Sequence, residues 1–248
     1  EFNIPENLKY IGGTWYPSAG SPRLKGTFRV PSNLKVIPEG AFCGMGSDGS
    51  FTGDIEIPQG IEEIGEAAFY GLSLKNRVKL TLPQGLKRVN HISFAHVRFS
   101  SLKFNDDLEW IDQRGFMACS MPFQIELPKG LLYVGHEAFA GCGIEGELVI
   151  PESCLSIRGG AFCANQISKL TLPSRLEYIE GGAFQGVGPI TEITIPKFVD
   201  RIGGRAFASN DYLQTVICLN PEPPTLEAND VFEGVYYDKC ILQVPEQS

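Results

Sequence analysis

Residues Leu170 to Gly186 read LTLPSRLEYIEGGAFQG, and nearly all of the chain is built from copies of this unit. Leu170 and Leu172 stand three and one before Pro173, Leu176 and Ile179 stand three and six after it, and Ala183-Phe184 closes the unit. With the proline as origin, the register recurs at Pro5, Pro31, Pro58, Pro83, Asn105, Pro128, Pro151, Pro173 and Pro196. An aromatic follows eleven residues later each time, at Tyr16, Phe42, Phe69, Phe94, Phe116, Phe139, Phe162, Phe184 and Phe207. Pro221 with Phe232 makes a looser copy, and Leu242-Gln243-Val244-Pro245 begins another. Repeat length varies from 22 to 27 residues while the proline-to-aromatic spacing stays constant, so variation falls between each aromatic and the next proline. A rigid rung joined by adjustable loops behaves this way.

Each register position has a physical reading. Before the proline, pairs such as Ile55/Ile57, Leu80/Leu82, Ile125/Leu127 and Ile193/Ile195 alternate with polar residues, which marks a short strand with one buried face. Proline ends that strand because it has no N–H for a ladder. Two residues on come turn formers such as Asn33, Gly60, Gly85, Asp107 and Gly130, from which Arg175 and Phe198 depart. Inward pairs follow, among them Leu86/Val89, Leu108/Ile111 and Leu131/Val134, and predict a second extended or irregular segment. The small residue before each aromatic predicts a short 3₁₀ or single helical turn with the ring inserted beneath it. Stacked copies then share a continuous core with an aromatic spine, which no repeat could bury alone. The reading is a mainly β, single-domain solenoid of about nine to ten rungs forming a curved rod, with residues 1–216 as the solenoid. Residues 217–248 are read as proline-rich terminal rungs, continuous with it and truncated.

The unit resembles the repeat of BspA-like leucine-rich repeat proteins, L-x-I-x-I-P-x-x-V-x-x-I-G-x-x-A-F-x-G-C, which Ile193 to Phe207, ITIPKFVDRIGGRAF, follows closely. The resemblance covers about residues 1–245. The recurring asparagine of ordinary leucine-rich repeats is absent as a landmark, and the proline and Ala-Phe positions replace it. Trp15-Tyr16 stands in for Ala-Phe in the first copy, and a Gly/Ser loop, Gly44 to Gly53, follows the second. The resemblance implies a bacterial surface protein, and for some members adhesion to host matrix proteins.

Composition restricts the function further. A formal charge of −8 and a pI near 5.0 argue against nucleic acid, which needs basic stripes, and more weakly against anionic membrane surfaces. No apolar run approaches the roughly 18–20 residues of a membrane span. The sequence opens at Glu1 without an initiator Met and stops in mid-repeat, so it is read as a fragment with any targeting segment left out. The three histidines, His91, His96 and His136, have no recurring nucleophile and acid beside them, so no catalytic residues are expected. Asp106, Asp107 and Asp112 lack the spacing of a calcium loop and read as an exposed turn; no metal or cofactor is implied.

Seven cysteines form no CxxC pair. Cys119 and Cys142 share a register position with Met45, Leu72, Val97 and Val187, and also with Asn165 and Asn210, and read as small buried hydrophobes. Cys218 and Cys240 are the best placed for a disulfide, though free thiols are expected there too.

The column five residues after the proline reads Tyr10, Val36, Glu63, Arg88, Trp110, Tyr133, Ser156, Tyr178 and Arg201. Strand alternation turns it outward, away from the buried Ile or Val that follows. Arg88, Trp110, Tyr133, Tyr178 and Arg201 are therefore the candidate ligand-binding residues, being of the types enriched at binding hot spots. The competing reading is that the rings lie flat as partial covers over the coil. A second candidate surface is the strand face, with Arg29, Glu56, Thr81, Lys103, Glu126, Val149, Thr171 and Thr194. The expected function is a non-enzymatic, extracellular binding or adhesion protein whose partner is a host or surface protein or a glycan. The alternative is a structural spacer that presents another domain.

Overall fold

The computed structural model describes residues 26–27, 30–45, 51–52 and 54–245. The first copy, Pro5 to Tyr16, and most of the Gly44–Gly53 loop lie outside them. The described residues form a succession of rungs carrying two parallel strand ladders, with no helix among them.

The first ladder takes the alternating segment before each proline. Ile55–Glu56, Val78–Thr81 and Phe99–Lys103 pair in parallel, as do Glu145–Val149 with Gln166–Thr171, and Glu192–Ile195 with Thr215–Cys218 and Ile241–Gln243. It is interrupted twice: at residues 121–128, which form no strand, and between Gln166–Thr171 and Glu192–Ile195. A proline, Pro122 or Pro189, sits at the entry to each interruption, and each removes an N–H that the ladder would need. The second ladder is made of two-residue strands after the turn, so the expected extended segment is present but minimal. Arg88–Val89, Trp110–Ile111, Tyr133–Val134 and Ser156–Ile157 are hydrogen-bonded neighbours, as are Tyr178–Ile179, Arg201–Ile202 and Thr225–Leu226.

On the third side the Ala-Phe pair sits in single i→i−3 turns that do not continue into a helix. Residues two before and two after the aromatic take positive φ, including Glu137 (53°) and Gly141 (64°) around Phe139. Alternation of hand turns every second N–H toward the next rung. Glu137, Phe139 and Gly141 donate to the carbonyls of Gly159, Ala161 and Cys163 at 3.0, 2.7 and 2.9 Å. The intervening N–H groups of Ala138 and Ala140 bond within the rung, to Gly135 and Glu137. A helix would have spent these donors internally and left rungs unconnected here. The backbone is thus bonded between rungs on this third side as well, as a buried main chain requires.

The rings beneath form the expected spine. Phe42, Phe69, Phe94, Phe116, Phe139, Phe162, Phe184, Phe207 and Phe232 stack in order, with Phe116 and Phe139 5.3 Å apart and 4° from parallel. All but Phe232 in this series are fully buried. The inward aliphatics close around them, although Leu102 and Leu127, beside the first interruption, are only half-buried.

A polar line runs inside this core. Asn165 donates from Nδ2 to the carbonyls of Phe139 (2.9 Å) and Phe162 (2.7 Å), and its Oδ1 accepts from the Ile144 N–H at 3.0 Å. Asn210 repeats the arrangement with Phe184, Phe207 and Val187. Cys119 and Cys142 stand in the same slot, and their thiols donate to the carbonyls of Phe94 and Phe116 at 3.0 Å. The position is therefore a hydrogen-bonding one as well as an apolar one. All seven cysteines, Cys218 and Cys240 included, are free thiols. Burial pushes the Cys142 thiol up to about 12 and Cys119 well above its ordinary value, so neither is a ready nucleophile.

Candidate functional site

The second ladder places the outward column. Its register pairs Arg88 with Trp110, Trp110 with Tyr133, and Tyr133 with Ser156, while Val89, Ile111 and Val134 point inward in step. Two-residue strands leave no freedom in this alternation. The column then continues, across a break in pairing, with Tyr178 beside Arg201 beside Thr225.

The five candidate residues therefore lie in one line but form two clusters. In the first, the Trp110 and Tyr133 rings lie 5.0 Å apart and tilted by 34°, and the Arg88 guanidinium sits 5.1 Å over the indole. Asp112 holds Arg88 there at 3.2 Å. In the second, the Arg201 guanidinium lies 4.5 Å from the Tyr178 ring and 3.6 Å from Glu227. The Tyr178 hydroxyl donates to Glu227 at 2.6 Å, and this bond to a carboxylate pushes the phenol up to about 12. Ser156 separates the clusters and brings no ring.

Burial decides how the column presents itself. Trp110, Tyr133 and Tyr178 are half-buried, while Arg88 and Arg201 are exposed. Arg88 from one neighbouring rung and Tyr133 from the other thus pack against the Trp110 ring along the column. Exposed cation–π contacts of this kind contribute about 0.5–1 kcal/mol each. Asp112 and Glu227, which fix the arginines, were not among the sequence candidates. Both lie two residues after the column position, and an acid there within one or two rungs of an outward arginine is the signal that would have found them.

Other chemistry is sparse. His91 lies 3.8 Å from Glu66 and His136 lies 4.0 Å from Glu180, in separate rungs. Among the described residues, no group of three His, Cys, Asp or Glu side chains could hold a metal ion. No helix of the described residues is long and apolar enough to cross a membrane.

A BspA type leucine rich repeat region, in six copies, matches residues 47–163 and 145–233. No curated protein matches the sequence. Among solved structures, a leucine-rich repeat protein from Bacteroides ovatus ATCC 8483 is 20% identical, with a TM-score of 0.55, covering 89% of this chain and 69% of that one. A leucine rich cell surface protein from Faecalibacterium prausnitzii A2-165 is 16% identical, with a TM-score of 0.39 and coverage of 88% and 78%. The pneumococcal vaccine antigen PcpA is 18% identical, with a TM-score of 0.46 and coverage of 83% and 65%. The rung register, the phenylalanine spine and a family match over most of the described residues agree, and the chain belongs to the BspA type leucine-rich repeat family.

Proposed function

We propose that this solenoid is a non-enzymatic binding module displayed at a bacterial cell surface, and that Arg88, Trp110, Tyr133, Tyr178 and Arg201 contribute the recognition face toward a protein or glycan partner. The observation that carries the reading is the Trp110–Tyr133 pair, set 5.0 Å apart on the outside of rungs whose core is complete without it. Aromatic side chains already fixed by a neighbouring arginine lose little conformational freedom on binding, which is the property of a hot spot. Family membership supports surface display.

The test is an array of matrix proteins and glycans probed with the wild-type chain and with the double variant Trp110→Ala/Tyr133→Ala. A partner bound by the wild type should be bound at least tenfold more weakly by the variant, with the circular dichroism spectrum unchanged. Equal affinity in the double variant rejects the column as the binding face.

A spacer role is the second reading, favoured by the half-burial of the same rings and by the ion pairs that occupy both arginines. A chain that binds nothing on the array, yet loses stability in the double variant, supports it.

A further inference from the structure

The second interruption of the strand ladder opens a groove that the aromatic column does not use. The Ile167 N–H still reaches the carbonyl of Val187, at 2.6 Å. Gly188 then turns with φ of 93° and passes so close to Gln166 that a Cβ would lie 2.9 Å from its Cα. Pro189 follows, and the chain leaves the ladder before Glu192–Ile195 resumes it with a different partner. Between this strand and Gln166–Thr171 lies a groove of about 810 Å³. That is within the roughly 300–1,000 Å³ of small-ligand sites.

Its lining is unlike the rest of the strand face. Phe198, in the position that other rungs give to a turn former, is 57% exposed and forms part of the wall, with Leu219 at 48%. The hydroxyls of Ser168, Thr171, Thr191 and Thr194 also line the groove, and none makes a hydrogen bond among the described residues. Lys197 lines it with no ion pair among the described residues, while Lys169 is held by Glu147 at 2.8 Å. With Lys169 paired to Glu147, and Ser174 of the same lining bonded to Glu152, Lys197 is the cation of the lining left without a paired acid among the described residues.

We propose that this groove binds a carboxylate-bearing pyranose of a glycan. The C–H face of the sugar stacks on Phe198, whose π face is electron-rich. Free hydroxyls on the strands exchange hydrogen bonds with those of the ring, and Lys197 meets the carboxylate. Each hydroxyl of a sugar ring both donates and accepts, which matches a line of protein hydroxyls that do the same, whereas a peptide main chain offers separate donors and acceptors at a fixed spacing; this favours the polyhydroxylated ligand. The proposal rests on the reading of the chain as a binding module, but on a different side of the coil from the aromatic column.

The experiment is an NMR titration of the ¹⁵N-labelled chain with methyl glucuronide and methyl N-acetylneuraminide, with methyl glucoside as the neutral probe. At least one acidic sugar should shift the amides of Thr171 and Thr194, at least fivefold more tightly than the glucoside. Phe198→Ala, at an exposed position, should weaken that binding at least tenfold with an otherwise unchanged spectrum. Trp110→Ala/Tyr133→Ala should leave it intact, so failure of the column and failure of the groove are told apart. Equal binding of the glucoside, undiminished binding by Phe198→Ala, or shifts produced only by a glutamate-rich peptide would each overturn the proposal.

Discussion

Asn165 and Cys142 solve the same problem with different atoms. Each sits three residues after a spine phenylalanine and donates to the carbonyl of the preceding one, Phe139 for Asn165 and Phe116 for Cys142, although the Phe116 carbonyl also accepts from the Cys119 N–H at 3.2 Å. The asparagine does more, since it also takes the Ile144 N–H and the Phe162 carbonyl. Asn165→Ala leaves these buried groups without partners, at about 1–3 kcal/mol for each that stays unsatisfied. Asn165→Cys keeps a donor in the slot and should recover part of the loss. Urea unfolding of the three proteins checks the order, wild type above Cys above Ala; equal stability of the Cys and Ala variants rejects a bonding role for the thiol. The sequence showed cysteine and asparagine sharing this slot with valine and leucine. What it could not display was a carbonyl one rung away, because that partner is set by the stacking.

At the scale of the element, close approach between rungs is decided by glycine. A Cβ on Gly135 would lie 2.5 Å from the Gln113 nitrogen and 2.6 Å from the Asp112 carbonyl carbon, so Gly135→Ala must push two rungs apart. Gly130, in the preceding turn of the same rung, would carry a Cβ no nearer than 3.4 Å to the Asp106 oxygen. Gly135→Ala should therefore cost about 1–3 kcal/mol, whereas Gly130→Ala should be neutral or add up to about 1 kcal/mol by restricting the unfolded chain. Thermal unfolding of both variants distinguishes a steric role from a general preference for glycine. The proline-to-aromatic spacing made the strands, the spine and the Trp110–Tyr133 neighbourhood legible, because constant spacing forces a constant register. It did not reveal the alternating turn, since Glu137, Arg114 and Arg205 take a conformation that their residue types disfavour and that only the inter-rung bonds stabilise. Nor did it reveal the groove. Phe198 stood out as an odd turn residue, but the displacement that makes it a wall begins ten residues earlier, at Gly188.

For the whole molecule, stability is the sum of rungs and of the contacts between neighbours. Phe139→Ala removes one ring from a stack in which Phe116 and Phe162 each lie 5.3 Å away, and should cost about 3–5 kcal/mol. The damage should stay local: hydrogen exchange should quicken around Phe116, Phe139 and Phe162 and change little at Phe42 or Phe207. Uniform acceleration along the chain would show a single cooperative unit instead. The ladder of turns is also electrically directional. Its inter-rung bonds all run one way, from N–H of one rung to C=O of the next, as from Phe42 to Ala68, Phe94 to Gly115 and Phe207 to Val231. Peptide dipoles aligned in this sense add up along the axis. An α-helix carries its positive pole at the N-terminus, whereas this column carries it toward the C-terminal end. There the N–H groups of Phe232 and Gly234 have no acceptor among the described residues. Whatever meets that end, whether backbone or ligand, meets it best with oxygen.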